Sequence, residues 1–172
     1  MIELSIETLS HEAFAPFGEV IEADPLRTQF AINAGTSQRF HDLARLDPGK
    51  DGRLTVSIFR SQPRDLPLSI TMLERHPKGS QAFMPLSGKP FLVVVAPAGD
   101  KVDPHQIRAF WAHGQQGINF TAGTWHHPLL ALHSESDFLV IDRADPASNC
   151  EEYLLEQRLS LNMELLAGVN AC

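Results

Sequence analysis

Two stretches of the chain carry side chains that are able to bind a metal ion. In the first, ERHPKGSQAFMPLSG, Glu74 and His76 lie two residues apart, and Gln81 follows after a turn. On a strand, that spacing places the first two side chains on one face, and a hairpin would set Gln81 across from His76. Gly123 stands directly before the second stretch, TWHHPLLAL, which contains His126. We therefore expect the four potential ligands to converge.

Two imidazoles, a carboxylate and an amide oxygen form a mixed set of nitrogen and oxygen donors. Such a set suits a divalent first-row metal such as nickel, manganese, iron or zinc better than a metal that prefers thiolates. Two histidines and one carboxylate with open positions also let a substrate bind the metal directly. A Glu-x-His pair alone is a weak signal, and without a metal Glu74, His76 and His126 are able to act as general base and acid. We expect a catalytic site of one of these two kinds.

The neighbours of His126 raise a question of orientation. Trp125, His126 and His127 stand side by side before an otherwise apolar run. Side chains alternate between the two faces of a strand. We therefore expect His126 to point into the site and both neighbours to face away, towards another layer or a second subunit, with a role for His127 in the site as the alternative.

The elements that would position these residues are mostly short strands. Runs of strand-forming residues, separated by Gly, Pro and Asp, occur at residues 53–60, 67–76, 89–98, 107–113, 126–133 and 137–144. This pattern favours an all-β barrel or sandwich, with an α+β sandwich as the alternative. Helical signals occur only near the ends. Ser10 is placed to cap a short turn through Phe14, and residues 157–167 predict a terminal helix that Gly168 ends.

Composition narrows the class of protein. The 172 residues, 43% hydrophobic and 20% charged, suit one domain over residues 1–172, with residues 157–172 as a C-terminal helix or tail. The formal charge of −7 argues against nucleic-acid binding. The longest apolar run, residues 91–98, is too short to cross a bilayer, and the N-terminus lacks a secretory pattern. With only Cys150 and Cys172 and no CxxC pattern, we expect a reduced, cytoplasmic setting.

The two metal-binding stretches resemble the paired motifs of the cupin superfamily. Glu74 and His76 stand at the two histidines of the first motif, Gln81 at its glutamate and Gly88 at its closing glycine, with every spacing kept. In the second motif the glycine and His126 match, while a threonine replaces the proline. Glu74 and Gln81 thus depart from the general ligand types. The resemblance implies a mainly all-β, cupin-type double-stranded β-barrel, or jelly roll, with short peripheral helices.

Longer phrases make the resemblance more specific. AFAPFGEVIE, RFHDLA, QPRDLPLSITMLERHPKGSQAFMPLSG, IRAFWAHGQQGINF, TWHHPLLAL, DFLVIDR and NCEEY look like those of the bacterial ureidoglycolate lyases, long called ureidoglycolate hydrolases, over roughly residues 10–155. The resemblance implies cleavage of (S)-ureidoglycolate to glyoxylate and urea in allantoin breakdown. It also implies a homodimer, a divalent metal in some members, nickel being the one associated with the family, and a Glu, His, Gln, His set as the family's own variant of the cupin site.

Ureidoglycolate is anionic, so its carboxylate needs a cationic partner. Arg60 and Arg143 are candidates, because each ends a strand-like run and arginine binds carboxylates through two parallel hydrogen bonds. Asn33 and His41, both in the N-terminal part of the chain, are further candidates for the mouth of the site or a dimer contact. Two other functions remain open, a non-catalytic cupin that binds a small molecule and a metal-dependent dioxygenase. Urea release would exclude the first, and oxygen uptake would mark the second.

Overall fold

The structure is a computed structural model that describes residues 2–144 and 149–166. Those residues form fourteen strands, one four-residue helix and two 3₁₀ turns. The helix is α1 (His11–Phe14), and the turns are Asn33–Gly35 and Pro104–Gln106. The strands are β1 (Ile2–Thr8), β2 (Gly18–Ile21), β3 (Gln29–Ile32), β4 (Ser37–Phe40), β5 (Leu54–Ser61), β6 (Leu68–Arg75), β7 (Gln81–Pro85), β8 (Phe91–Ala96), β9 (Arg108–Ala112), β10 (Gly117–Phe120), β11 (Trp125–His126), β12 (Leu130–Ala131), β13 (Ser136–Arg143) and β14 (Glu151–Leu166).

Most of these strands lie in two sheets. A seven-stranded sheet has the order β11-β6-β14-β1-β9-β8-β12, and β11 also pairs with β8, so this sheet closes on itself. This sheet is mixed. Strand β1 runs parallel to β14 and β9, and the other strand pairs of the sheet are antiparallel. A five-stranded sheet has the order β2-β10-β7-β13-β5, and β3 pairs only with β4. The expected mainly β, cupin-type barrel with short peripheral helices is confirmed.

Strand β8 lies between two apolar clusters and is buried on both faces. Leu92 and Val94 pack in a cluster with residues of β1, β6 and β14. Phe91, Val93 and Val95 point the other way and pack with residues of β7, β10 and β13. A strand that is buried on both faces reads as a continuous apolar run rather than an alternating one, which explains FLVVVA. The second cluster contains residues of both sheets and therefore packs them against each other.

The predicted strands are largely present, and the predicted N-terminal turn is α1. Ser10 Oγ accepts a hydrogen bond from the backbone N–H of Ala13 at 3.2 Å, as expected of a helix cap. The run at residues 126–133 is divided into β11 and β12. Pro128 lies in the break, and it has no N–H to donate to a neighbouring strand. In the part of the chain that is described, no helix has the length and apolar character needed to cross a membrane.

The helix predicted over residues 157–167 is wrong as far as residue 166, because this segment belongs to β14. The four-residue spacing of Leu155 and Leu159 imitates a helix, but the register of β14 against β6 shifts just before Leu159. Leu155, Leu159 and Leu161 all pack in the same core, since residues four and two positions apart also lie on one face of a strand. Residues 167–172, including the predicted stop at Gly168, lie outside the described residues.

Candidate active site

Strand pairing brings the two metal-binding stretches together. Glu74 in β6 and His126 in β11 are direct partners across an antiparallel pair. The carbonyl oxygen of His76 accepts a hydrogen bond from the N–H of Gly123 at 2.9 Å, so the turn before β11 is tied to the end of β6. One ligand atom from each of Glu74, His76 and His126 lies within 4.8 Å of the others. The expected convergence is therefore present for these three side chains.

Both imidazoles present an unshared electron pair to this cluster. The Nδ1 atom of His126 lies 3.0 Å from the carbonyl oxygen of Thr124, and Nδ1 of His76 hydrogen-bonds to the carbonyl oxygen of Asn149. A carbonyl oxygen only accepts, so Nδ1 of each ring carries a proton and Nε2 is the nitrogen that is left to bind a metal. Both Nε2 atoms are buried and have no hydrogen-bond partner among the described residues. This is the usual arrangement of histidines that bind a metal through one nitrogen.

Glu74 supplies the negative charge of the cluster. Its Oε1 lies 3.5 Å from His126 Nε2, and its Oε2 accepts a hydrogen bond from the Cys150 thiol at 3.7 Å. Burial alone would raise the pKa of the Glu74 carboxyl, but a hydrogen bond with His126, the positive charge that His126 and His76 carry when protonated, and the hydrogen bond from Cys150 together lower that pKa below its ordinary value. Burial, together with nearby acidic groups including Glu74, raises the pKa of the Cys150 thiol, which therefore stays a donor. Glu74 is ionised at neutral pH and able to bind a cation.

Gln81 enters the site from the opposite sheet. It is the first residue of β7 and is buried. Its Nε2 donates a hydrogen bond to Oδ2 of Asp142 at 3.1 Å, while its Oε1 is buried without a hydrogen-bond partner in the described part of the chain. The predicted fourth ligand atom is thus an unsatisfied oxygen.

A cavity of about 250 Å³ adjoins Glu74, Gln81 and His126. Most of its wall is apolar, and the ring of Phe120 stacks on His126 with centroids 4.3 Å apart and planes 12° from parallel. The wall residues are Phe59, Ser61, Glu74, Gln81, Phe83, Phe91, Leu92, Val93, Ile118, Phe120, His126, His127, Pro128 and Leu129. The space suits a small substrate whose polar atoms meet the few polar groups on the wall.

His127 lines the same cavity as His126, so the expectation that it faces away is wrong. Strand β11 ends at His126, and the alternation of faces does not extend past a strand end. The Nδ1 atom of His127 lies 2.8 Å from the carbonyl oxygen of Pro128, and burial lowers the pKa of His127. Trp125 does face away as expected, since its Nε1 donates to the carbonyl oxygen of Gly99 at 2.9 Å. The cavity therefore contains a neutral imidazole besides His126.

Arg60 and Arg143, the candidates for binding the substrate carboxylate, lie away from this cavity. Arg60 is paired across β5 and β13 with Asp137, to which it donates two hydrogen bonds of 2.8 Å. Its strand neighbours Phe59 and Ser61 line the cavity, so alternation turns Arg60 to the other face. Arg143 donates to the carbonyl oxygen of Pro48 at 2.6 Å and anchors the loop before β5. Neither arginine lines the cavity, so the expectation that they bind the substrate carboxylate there is not supported by their positions.

Asn33 and His41 also lie outside the cavity. Asn33 is exposed in a 3₁₀ turn, and its Nδ2 lies 3.4 Å from Ser37 Oγ. His41 packs against Phe30 with ring centroids 5.4 Å apart, next to the β3–β4 hairpin. The predicted role of Asn33 in lining the site is not supported by its position.

A family model described as ureidoglycolate lyase matches residues 1–162. The chain belongs to the ureidoglycolate lyase family. Relatives named ureidoglycolate lyase include one from Burkholderia mallei, 53% identical over 172 residues, which cover 99% of this chain and all of the relative. Another, from Pseudomonas syringae pv. tomato, is 48% identical over 165 residues, or 95% of this chain and 96% of the relative. A solved structure of dTDP-6-deoxy-D-glucose-3,5-epimerase RmlC from Legionella pneumophila is 16% identical, with 88% of this chain and 93% of that chain covered and a TM-score of 0.44.

The donor set of this ureidoglycolate lyase family member fits a divalent metal. Three atoms of this donor set are buried and lack a hydrogen-bond partner among the described residues, namely Nε2 of His76, Nε2 of His126 and Oε1 of Gln81. An ionised carboxylate, Glu74, completes the set. A buried polar atom without a partner is costly, and a bound cation would satisfy all three at once.

Sequence reasoning assigned no role to three residues that hold the site in place, Asp142, Asn149 and Cys150. Asp142 holds Gln81, Asn149 holds His76, and Cys150 donates to Glu74. All three lie in the family-like phrases DFLVIDR and NCEEY. Strand alternation was a usable signal for Asp142, because Arg143 and Asp142 must face opposite sides of β13.

Proposed function

We propose that this chain is a ureidoglycolate lyase that cleaves (S)-ureidoglycolate to glyoxylate and urea in allantoin breakdown. The observation that carries the proposal is the cluster of Glu74, His76 and His126 beside a small cavity, in a chain of the ureidoglycolate lyase family. A non-catalytic cupin that binds a small molecule would not need a carboxylate and two histidines grouped as potential metal ligands or acid/base groups. The dioxygenase alternative has no comparable support from the family.

Glu74, His76, Gln81 and His126 are the proposed ligands of a divalent metal, and nickel is the metal that the family resemblance implies. When bound, such a metal supplies Lewis-acid chemistry that lowers the pKa of a substrate hydroxyl. The protein contributes a fixed donor geometry, because the protonated Nδ1 of each histidine is held by a backbone carbonyl. The apolar wall limits access of water to the reacting carbon.

Urea release requires a proton to move from the substrate hydroxyl to the departing nitrogen. As the proton leaves, the O–H electron pair forms the carbonyl group of glyoxylate, the C–N bond breaks, and its electron pair accepts the proton on urea. We assign the proton transfer to His127, which lines the cavity and is outside the proposed ligand set. Its Nδ1 hydrogen-bonds to the Pro128 carbonyl, so Nε2 is the ring nitrogen that we assign to accept and return the proton. No water is consumed, and the reaction is therefore that of a lyase.

The decisive assay follows the products formed from separate (S)- and (R)-ureidoglycolate. We expect equal amounts of urea and glyoxylate from the S form and much slower turnover of the R form. Ammonia as the first nitrogen product would instead indicate amide hydrolysis and contradict the proposal. Consumption of oxygen during turnover would favour the dioxygenase, and absence of turnover with both forms would favour the non-catalytic binding protein.

A homodimer is the proposed assembly, as the family resemblance implies. Strand β5 is the last strand of its sheet, and its outward residues Val56 and Ile58 are 66% and 54% exposed. An exposed apolar edge strand favours pairing with a second copy.

The cytoplasm is the proposed location, because the Cys150 thiol that donates to Glu74 is best preserved in a reducing compartment.

A further inference from the structure

The amide of Gln81 is held in one orientation by a single charged neighbour. Ile141 of β13 and Ala82 of β7 are direct partners in an antiparallel pair. The next residues along the two strands, Asp142 and Gln81, therefore stand across from each other with side chains on the same face. The 3.1 Å hydrogen bond from Gln81 Nε2 to Asp142 Oδ2 lies on that face.

An amide side chain can present either its oxygen or its nitrogen to a site, and the two choices have opposite effects on a cation. The carboxylate of Asp142 accepts the hydrogen bond that Gln81 Nε2 donates. Gln81 must therefore turn Nε2 towards Asp142, which leaves Oε1 on the other side of the amide. That Oε1 is buried and has no hydrogen-bond partner among the described residues, in a side chain that lines the cavity.

We infer that Asp142 is a positioning residue, which keeps the oxygen of Gln81, rather than its nitrogen, directed into the site as a ligand atom. The inference rests on the proposed function, because it concerns the same donor set of Glu74, His76, Gln81 and His126. A carboxylate at this position would present an oxygen in either orientation. An amide presents an oxygen in only one orientation, and the contact with Asp142 selects that one. The hydrogen bond to Asp142 also polarises the amide with its oxygen away from Asp142. This polarisation makes Oε1 a stronger ligand for a metal ion.

The test is a double-mutant cycle on Ni²⁺ affinity, measured by competition with a chelator on stripped protein. Asp142→Ala should weaken Ni²⁺ binding about 10–100-fold, the usual effect of removing the partner that orients a ligand. Asp142→Asn should lie between wild type and Asp142→Ala, because its side chain is able to present either an acceptor or a donor to Gln81. In a Gln81→Leu background, Asp142→Ala should change Ni²⁺ affinity by no more than about twofold, since the ligand it orients is gone. Asp137→Asn, on the opposite face of the same strand and paired with Arg60, is the matched control and should leave Ni²⁺ affinity unchanged.

Equal effects of Asp142→Ala in the wild-type and Gln81→Leu backgrounds would overturn the inference, because they would indicate a structural role independent of Gln81. An unchanged Ni²⁺ affinity in Asp142→Ala would overturn it too, as would a wild-type protein that binds no Ni²⁺. Thermal melting of each stripped variant identifies those that are misfolded, and for such a variant the milder Asp142→Asn provides the comparison. Loss of urea release in the wild type would instead contradict the proposed function while leaving the affinity cycle valid.

Discussion

At the scale of single residues, the site depends on which nitrogen of each histidine carries the proton. His76, His126 and His127 all have Nδ1 at hydrogen-bonding distance from a backbone carbonyl. The three Nε2 atoms are therefore the chemically active ones. What separates their roles is position, because His76 and His126 form a cluster with Glu74, whereas His127 lies on the cavity wall beside it.

The two neighbouring histidines should lose activity in different ways. His126→Ala and His76→Ala should each lose bound divalent metal and lower kcat/KM at least about 100-fold, as expected on loss of a ligand or acid/base group. His127→Gln should lower kcat by about 100-fold while keeping metal affinity near that of the wild type, because only the proton carrier is lost. Metal content by elemental analysis, together with steady-state rates, separates the two classes. Normal kcat in His127→Gln would show that another group moves the proton.

Trp125, on the other side of β11, should affect folding and not chemistry. Its ring is buried, packs at 5.8 Å from Tyr153 and lies under the guanidinium of Arg75 at 4.6 Å. Trp125→Ala should reduce the free energy of unfolding by about 3–5 kcal/mol, the usual cost of a large cavity. Chemical denaturation gives this value, and kcat per folded molecule should stay within about threefold of wild type at a temperature where the variant is folded. A large loss of kcat in fully folded protein would contradict this assignment.

At the scale of elements, glycine is required at one position by the close approach of two neighbouring strands and at another by backbone conformation. Gly18, at the start of β2, has a φ of +150°, and a Cβ there would lie 1.8 Å from the carbonyl oxygen of Asn119 in β10. Gly88, in the turn between β7 and β8, has a φ of +65° but no atom within 4 Å of the corresponding position. The first glycine is required by contact between strands, and the second only by backbone conformation.

Alanine at these two glycines should therefore differ in cost. Gly88→Ala should destabilise the protein by only about 1–2 kcal/mol, the cost of a left-handed conformation in a residue with a side chain. Gly18→Ala adds a clash with the backbone of β10, and we expect a loss of more than about 3 kcal/mol or failure to fold. Urea denaturation of both variants measures the difference. Similar values for the two would mean that β2 is able to move away from β10 without loss.

At the scale of the whole molecule, the five-stranded sheet has one face in the core and one face turned outwards. On β5, Phe59 and Ser61 line the cavity, while Val56 and Ile58 point outwards. The outer face of the same sheet carries a second, apolar hollow lined by Leu139, Ile141 and neighbouring residues. The wall of the site and the proposed dimer surface are thus opposite faces of the same strands.

Placing a charge on the outer face of β5 should separate the proposed dimer without abolishing folding. Ile58→Glu should weaken self-association by at least about tenfold, because an interface buries an unpaired charge only at high cost. Leu154→Glu, which changes another exposed apolar residue on β14, serves as the control and should leave self-association unchanged. Sedimentation equilibrium of both variants and the wild type measures the effect. A monomeric wild type would exclude the dimer.

Most of the strands, the donor types and the meeting of the two stretches were predictable from the sequence, because these depend on local spacing and on side-chain chemistry. Residues Glu74, His76 and His126 converge as their spacing predicts. The end of each strand and the face that it turns towards the cavity depend on contacts between distant segments, and sequence spacing does not reveal them. His127 lines the site because β11 stops one residue earlier, and Arg60 faces outwards because its neighbours Phe59 and Ser61 line the cavity. The helix predicted near the C-terminus is a strand, because its backbone pairs with β1 and β6, and such pairing between distant segments outweighs local helical spacing.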